Sequence, residues 1–291
     1  MSPIKPSRKA VQLLGRVVTY AILLLFTFLT LVPLVWMFIS SFKSEADFFT
    51  SLFLPSGDGF LGVAWGNLTL DNYRKLIEGM PFVRYMLNSF FIAGTVSVVG
   101  TLFAAMGGYA LAKFRFPGQT FLTAVVLGAL IVPGVLLLAP GYQVIYFLGL
   151  LDTHAGIILP MLSPAFGVFL FRQAMLNAIP GDLLESARME GCNELQIFFL
   201  VVLPLVRPMA GAFVLLTFLG AWNNFITPSI ILQSEDLYPI ALGIVHLRGL
   251  YGDEYGAIMA GTVIAISPVV ILFFFLQKEF ISGLTSGAVK G

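Results

Sequence analysis

The chain has 291 residues, of which 58% are hydrophobic and only 11% are charged. Soluble domains are usually about a quarter charged, so this composition indicates an integral membrane protein. A net charge of +1 argues against a nucleic-acid partner, which needs a clustered basic face. The chain has a single cysteine, Cys192, which excludes an internal disulfide. Because it also has only two histidines, we expect no metal site.

The N-terminal part of the chain predicts a first membrane span. A basic arm, residues 1–16, precedes an uncharged stretch over residues 17–42. The apolar part of a signal peptide is shorter, about 7–15 residues, so an uncleaved span over residues 17–40 is expected. Residues 43–84 are richer in glycine, proline and charge, and they predict an exposed loop with a short helix near 71–78.

Five further spans follow from the apolar runs in the rest of the chain. Each is close to the length that crosses a hydrocarbon core of about 30 Å. The third run is too long for one span, and Pro133-Gly134 and Pro140-Gly141 predict that it kinks or ends early. Small residues in the second span predict close helix packing; they are Gly94, Gly100, Ala104, Ala105, Gly107 and Gly108. The predicted spans are residues 85–112, 119–140, 153–171, 209–233 and 255–277.

The distribution of lysine and arginine predicts the orientation. With both termini in the cytoplasm, the cytoplasmic segments hold more than twice as many of these residues as the outer loops. The positive-inside rule favours this arrangement. The sequence therefore predicts an all-α membrane protein with six transmembrane helices, a membrane domain over residues 17–281 and a cytoplasmic tail over 282–291. The basic residues assigned to the outside are Lys43, Arg74, Lys75, Arg84 and Arg248.

A polar segment, residues 182–204, lies between two uncharged runs on the predicted cytoplasmic side. Its first half predicts a short helix that Asp182 caps, with Glu185 three residues on reaching back to it. Gly191 suits the left-handed residue that ends such a helix. A tight turn is expected to follow.

The second half of the segment predicts another short helix. Asn193 is expected to cap it, and Gln196 at the third position completes a capping box. Pro204 lacks the amide that a continuing helix would use, so a break is expected at Leu203-Pro204. Cys192 is interpreted as a small packing residue. The segment is thus predicted to be a compact helical hairpin at the membrane surface.

The spacing within this hairpin resembles the EAA loop of binding-protein-dependent ABC importer permeases. That pattern is Glu-Ala-Ala, three residues, Gly, nine residues, then Ile-x-Leu-Pro. Ser186 takes the place of the second-position Ala, and Val201 that of the Ile. The resemblance implies a type I ABC importer permease fold, in which the hairpin docks into a groove on a cytosolic ATPase. The matching residues are Glu185, Ala187, Gly191, Leu203 and Pro204.

The resemblance also implies a set of partners. A second permease subunit, two ABC ATPase subunits and an external solute-binding protein are expected around this chain in the lipid of a bacterial inner membrane. An outer loop near residues 233–254 would reach toward the binding protein. The chain has no P-loop motif, so ATP and Mg²⁺ would be used by the ATPases, and this subunit would be neither an enzyme nor bound to a cofactor.

The C-terminal residues resemble the ending of the G subunit of maltose-type carbohydrate importers, which enters the interface between the ATPases. A frayed chain end is the other interpretation. The resemblance favours a di- or oligosaccharide as substrate, with glycerol phosphate or another polyol derivative as the alternative. The tail residues in question are Gly287, Ala288, Val289, Lys290 and Gly291.

A few polar side chains lie inside the predicted spans, where they need partners or water. Amides can bond sugar hydroxyls and aromatic rings can stack on sugar rings, so these groups are candidates for a translocation path. Hydrogen bonding between helices is the alternative. The main candidates are Asn88, Trp222, Asn223 and Asn224, with Ser89, Tyr109 and Tyr142 as further polar or aromatic groups.

Two other classes of protein remain open at this point. One is a secondary carrier or channel driven by an ion gradient, and the other is a membrane scaffold or enzyme subunit that shares the hairpin. No acid or base lies deep in a predicted span, which disfavours a proton relay. Neither H-E-x-x-H nor G-x-S-x-G occurs, so a metalloprotease or serine hydrolase would lack its machinery.

Overall fold

A computed structural model describes residues 8–250 and 255–288 of the chain. Helices make up most of these ranges. Outside the helices, backbone pairing in the described part consists of two isolated antiparallel bridges, Lys43 with Leu68 and Ser56 with Val63. The predicted all-α class is therefore confirmed.

The described part of the chain contains fifteen α-helices, joined by short 3₁₀ turns and one π turn. Their bounds are α1 Arg8–Ser40, α2 Glu45–Phe48, α3 Asp71–Gly79, α4 Phe82–Lys113, α5 Gln119–Ile131, α6 Leu138–Phe147, α7 His154–Met161, α8 Ala165–Ala178, α9 Gly181–Met189, α10 Glu194–Ile197, α11 Leu203–Leu205, α12 Arg207–Trp222, α13 Ile226–Ile231, α14 Ile240–Leu250 and α15 Tyr255–Ala288.

Four helical stretches are long and apolar enough to cross a membrane by themselves. Each coincides with a predicted span, although α4 begins three residues earlier than expected and the α7–α8 stretch continues to Ala178. These stretches are Gln12–Ser40, Phe82–Lys113, His154–Ala178 and Tyr255–Lys278.

Two more spans are possible only if each of two sharply bent helix pairs counts as one crossing. Gln119–Ile131 and Gly134–Phe147 meet at 104°, and Glu194–Leu205 and Arg207–Trp222 meet at 83°. The structure therefore contains four to six candidate spans within the described residues, at or near the predicted places.

The predicted third span, 119–140, is interrupted at Pro133-Gly134, one of the two places where a break was expected. Helix α5 ends at Ile131, and Val132 is extended, with φ −77° and ψ 119°. Because a proline disfavours helical geometry in the residue before it, Pro133 forces this break. The second predicted break, Pro140-Gly141, lies inside α6 and does not interrupt it.

The predicted fifth span, 209–233, is also interrupted. Helix α12 ends at Trp222, and α13 begins at Ile226. The side-chain oxygen of Asn224 accepts a hydrogen bond from the Thr227 amide at 3.2 Å. Asparagine competes in this way with the backbone bonds of a helix, so a new helical turn starts here.

The contacts divide the described residues into two compact units, residues 8–79 with 255–263 and residues 80–250 with 264–288. In the first unit, the segment predicted as an exposed loop is folded around Lys43, whose side chain is fully buried. Its Nζ donates to the carbonyl oxygens of Ser51 at 2.7 Å and Leu52 at 3.3 Å. Burial lowers the pKa of Lys43. The predicted loop is exposed over most of its length, with Lys43 as a buried exception, and the short helix expected near 71–78 is present as α3.

Helix α4 is the centre of the second unit, where it packs against α8 and α12. The contact with α8 is close because a Cβ built on Gly108 would lie 2.6 Å from the Cβ of Phe171. A Cβ on Gly167 of α8 would lie 2.8 Å from the Cβ of Ala104. Small residues thus allow close packing, as predicted for this span.

The linker between α13 and α14 is tied to the start of α4. Asn88 Nδ2 donates to the carbonyl oxygens of Asp236 and Tyr238, at 2.9 and 3.0 Å. The Ser89 hydroxyl accepts from the Ile240 amide at 2.7 Å. Ile240 begins α14 and is buried. The expected exposed loop over residues 233–254 is therefore corrected to a bonded linker followed by a helix, up to residue 250.

Replacing Gly108 by alanine is expected to destabilise the protein. The added methyl would overlap α8, and overpacking of this kind costs about 1–3 kcal/mol. Gly94→Ala on the same helix is the control, since a Cβ there has no neighbour within 4 Å. The measurement is the thermal unfolding midpoint in mild detergent. Equal midpoints for the two variants would contradict the close α4–α8 contact.

Candidate functional site

The polar hairpin, defined here as residues 181–206, begins with α9. Pro180 occupies the N-cap position with φ −64°, and the cap makes no side-chain hydrogen bond. Asp182 therefore lies inside the first turn, and the predicted capping by Asp182 and Glu185 is wrong. A carboxylate in this turn still favours the helix through its dipole. Asp182 also accepts, through its carbonyl oxygen, a bond from the Ser186 hydroxyl.

The turn of the hairpin depends on Gly191, which has φ +88°. The Gly191 amide donates to the carbonyl oxygen of Arg188 at 3.0 Å, and the Cys192 amide donates to that of Ala187 at 3.1 Å. These two bonds form a Schellman motif, which ends helices with a left-handed residue. The predicted role of Gly191 is confirmed.

The second helix of the hairpin begins as predicted. The Gln196 amide donates to Asn193 Oδ1 at 2.9 Å, and the Asn193 amide donates to Gln196 Oε1 at 2.8 Å. This reciprocal pair is a complete capping box. Cys192, just before it, is half-buried and packs against the core cluster. The interpretation of Cys192 as a packing residue fits this position.

The end of the second helix differs from the prediction. The helical path runs through Leu203 and Pro204 to Leu205, and the bend falls at Val206, with φ −100° and ψ 10°. A π turn over Phe198–Val202 precedes the proline. The wider turn relieves the clash that a proline ring makes in a regular α-helix. The predicted break at Leu203-Pro204 is therefore two residues too early.

One carboxylate links both helices of the hairpin to α4. Arg188 Nε donates to Glu194 Oε1 at 2.7 Å, and the Tyr109 hydroxyl donates to Glu194 Oε2 at 3.1 Å. The bond with Glu194 raises the pKa of Arg188. The Arg188–Glu194 pair is about 40% exposed on each side, and such a pair contributes at most about 1 kcal/mol. Its main effect is to fix the position of the hairpin.

Apolar packing adds to this link. The Tyr109 ring lies 5.8 Å from the Phe198 ring. Lys113 Nζ, at the end of α4, donates to the Ile179 carbonyl oxygen at 2.6 Å. The core cluster that joins the hairpin to α4, α8 and α12 comprises Ala104, Ala105, Tyr109, Leu111, Val168, Phe171, Met175, Ile179, Leu184, Ala187, Ile197, Phe198, Val202, Val206 and Phe213.

The hairpin exposes apolar side chains as well as charged ones. Met189 is 89% exposed, and Leu195 is 59% exposed. Leu183 is exposed as well, and so are Glu185 and Glu190, which are close to it in the chain. Protein–protein interfaces combine apolar and polar side chains in this way.

The structure places the predicted hairpin residues in two groups. Ala187 is buried and Leu203 is half-buried, so they hold the hairpin in place. The other four are exposed: Glu185, Ser186, Gly191 and Pro204. Sequence reasoning missed the Arg188–Glu194–Tyr109 link. The Arg188–Glu194 contact could have been predicted, because these two residues carry opposite charges on either side of the predicted turn.

The residues predicted for a translocation path are largely bonded within the chain. Trp222 is 3% exposed, and its Nε1 donates to the Ala265 carbonyl oxygen at 3.1 Å. Asn88 holds the α13–α14 linker, and Asn223 donates to Leu219 of its own helix. These contacts support the helix-bonding alternative for Asn88 and Trp222. Their part in a path stays a prediction.

The C-terminal tail is only partly described. Gly287 and Ala288 form the end of α15. Val289, Lys290 and Gly291 lie outside the described residues. The expected docking of this tail on an ATPase therefore stays a prediction.

Residues 97–284 match the family described as binding-protein-dependent transport system inner membrane component. The match covers more than half of the chain and includes the whole polar hairpin. The chain therefore belongs to this family, and it is a multi-pass protein of the membrane.

Individual relatives and a solved structure agree with this assignment. The chain is similar to the arabinooligosaccharides transport system permease protein AraQ of Bacillus subtilis, with 40% identity over 77% of this chain and 80% of the relative. It is also similar to the lactose transport system permease protein LacG of Rhizobium radiobacter, with 32% identity over 94% and 96%. A crystallised bacterial ABC transporter involved in alginate import has a chain that is 25% identical, with a TM-score of 0.77 over 96% of this chain and 100% of that one.

Replacing Gly191 by alanine is expected to loosen the turn. An L-residue in the left-handed region costs roughly 1–2 kcal/mol, so the Cys192 amide should exchange its hydrogen about fivefold faster or more. Gly181→Ala is the control, because Gly181 has an ordinary φ and open space around its Cα. Hydrogen exchange with mass spectrometry makes the comparison. Unchanged exchange in Gly191→Ala would show that the turn does not need a glycine.

Proposed function

We propose that this chain is the transmembrane permease subunit of an ATP-driven, binding-protein-dependent importer for a di- or oligosaccharide. The observation that carries the proposal is the polar hairpin, which is hydrogen-bonded to α4 through Glu194 and exposes the apolar side chains of Met189 and Leu195. The family assignment supports the importer class. Relatives named for arabinooligosaccharides and lactose, and a neighbour named for alginate, support a carbohydrate substrate.

In this proposal the hairpin is the contact with an ATPase. Met189 and Leu195 would enter a groove on that subunit, and Glu185 and Glu190 would lie at its rim. Burying an exposed Met or Leu contributes about 1.5–3 kcal/mol. Two such anchors at the centre of a small interface supply much of the energy that a stable contact needs.

The hairpin would then act as a lever on the membrane helices. Closure of two ATPases on ATP and Mg²⁺ would displace it, and the Tyr109–Glu194 bond and the shared core cluster would carry the displacement to α4 and α8. Rigid-body rotation of packed elements is a common form of such switching. A second permease subunit would supply the other half of the pathway, and this chain would have no enzymatic activity. Six spans with both termini in the cytoplasm fit this arrangement.

The first experiment identifies the partners. The tagged chain is expressed from its native locus, purified in mild detergent and analysed by mass spectrometry. The proposal predicts an ABC ATPase and a second multi-span permease in the same complex. Recovery of this chain without an ATPase or a second permease, under conditions that preserve complexes, would favour a gradient-driven carrier or a scaffold.

The second experiment measures transport. The complex is reconstituted into liposomes with Mg-ATP on the hairpin side and a loaded solute-binding protein on the other side. Uptake of labelled oligosaccharides should require ATP hydrolysis and should persist when ionophores remove all ion gradients. Uptake that follows a proton or sodium gradient without ATP would contradict the proposal. Uptake of glycerol phosphate instead of sugars would change the substrate and leave the mechanism in place.

Met189→Asp is expected to abolish recovery of the ATPase, with at least a tenfold loss in the pull-down. The charge would have to be desolvated in an apolar groove, which is costly. Folding should be unaffected, because the side chain is 89% exposed. Met189→Leu keeps the apolar contact and is the matched control. Full ATPase recovery with Met189→Asp would place the contact elsewhere.

A further inference from the structure

Three helix interruptions meet at one cavity in the second unit. The first is the bend between α5 and α6, and the second is the break between α7 and α8. The third is the break between α12 and α13. The cavity has a volume of about 250 Å³ and is lined by residues close to each interruption, Gly134, Pro160, Met161, Asn224 and Thr227, and by Tyr142 from the middle of α6.

Interrupted helices are informative inside a membrane. A broken helix leaves backbone groups without their usual partners, and such breaks are tolerated where they are buried in protein or line a water-filled cavity. In transporters, discontinuous helices often form substrate sites. The convergence of three breaks on one space therefore indicates a site that the protein maintains.

The polar groups of the cavity are held in place but not saturated. Asn224 Nδ2 donates to Thr227 Oγ1 at 3.1 Å, and Asn224 Oδ1 accepts from the Thr227 amide at 3.2 Å. An asparagine amide has two N–H donors and two acceptor lone pairs, and a threonine hydroxyl can also donate. Each group therefore keeps hydrogen-bonding capacity for a ligand. The Tyr142 hydroxyl and ring add an aromatic surface on the opposing helix α6.

The remaining wall is mainly aliphatic, from residues such as Ile145 and Ile157. A sugar ring has one face of C–H groups and an edge of hydroxyls, so it suits a wall that is apolar on one side and carries an amide and a hydroxyl on the other. The volume is below the range of about 300–1,000 Å³ that is usual for drug-sized ligands. The space is of a size for one sugar ring.

We propose that this cavity is a subsite that holds one sugar ring of the substrate during its passage. The Tyr142 ring packs against the apolar face, and the Asn224–Thr227 pair bonds the hydroxyls. The proposal rests on the proposed function of the chain. It places the sugar contact on Asn224 and Tyr142, and it leaves Trp222 and Asn88 to hold the helices together.

The test uses the complete complex in liposomes with saturating loaded binding protein. Sugar uptake and ATP hydrolysis are measured in the same vesicles, and the ratio of sugar moved to ATP hydrolysed is compared. Asn224→Ala and Tyr142→Ala should each lower this ratio about five- to tenfold, as expected for loss of a hydrogen bond or a ring contact. Tyr142→Phe keeps the ring and should keep at least half of the ratio.

Ser229→Ala is the control, because Ser229 lies on the same helix as Thr227, is exposed and bonds only within its helix. Recovery of the intact complex checks the folding of each variant. Ratios equal to the unmodified protein in both Asn224→Ala and Tyr142→Ala would overturn the subsite, as would a tightly held lipid in the cavity during full transport. Absence of ATP-dependent sugar uptake by the unmodified complex would instead overturn the proposed function.

Discussion

The carboxylate of Glu194 is the point on which the second unit depends. It accepts one bond from Arg188, in the first helix of the polar hairpin, and another from Tyr109, in α4. A surface ion pair contributes little stability, so the main effect of these two bonds is to fix the position of the hairpin relative to α4. Because Phe198 packs against the same tyrosine, the hairpin has both a polar and an apolar connection to α4. A force applied to the exposed Met189 surface would therefore reach α4 without passing through a flexible linker.

The opposite end of α4 is bonded in a comparable way. Asn88 and Ser89 hold the linker that precedes α14, and Arg84 forms a salt bridge with Asp236 at 3.0 Å. That linker is also held by the Asp152 carboxylate, which accepts bonds from the Gln233 and Ser234 amides and from the Ser234 hydroxyl. The bonds with Ser234 lower the pKa of Asp152, so this contact contributes stability above the ordinary pKa of an aspartate and loses it only as pH falls through the lower folded value. A single helix thus connects the hairpin to the linker between α13 and α14.

Local signals in the sequence predicted much of this and failed for identifiable reasons. Gly191 and the Asn193–Gln196 box act over a few residues, so their roles followed from residue type and spacing alone. The Asp182 cap and the Leu203-Pro204 break were wrong because Pro180 and a π turn changed the local helix geometry. The Tyr109–Glu194 bond joins residues far apart in the chain, and a single sequence contains no signal for such a pair. The burial of Lys43 was missed for a different reason, since its partners are nearby backbone carbonyl groups that no side-chain pattern marks.

Spin-label distances can show whether the hairpin is rigidly attached to α4. In a Cys192→Ala background, labels replace the exposed Leu200 of the hairpin and the exposed Phe103 of α4, and the complete complex is measured without nucleotide and with ATP trapped. Rigid attachment predicts one narrow distance distribution that is the same in both states, in a complex that hydrolyses ATP and transports sugar. A shift or a second population on ATP binding would show that the hairpin moves independently of α4 and that the attachment is not rigid.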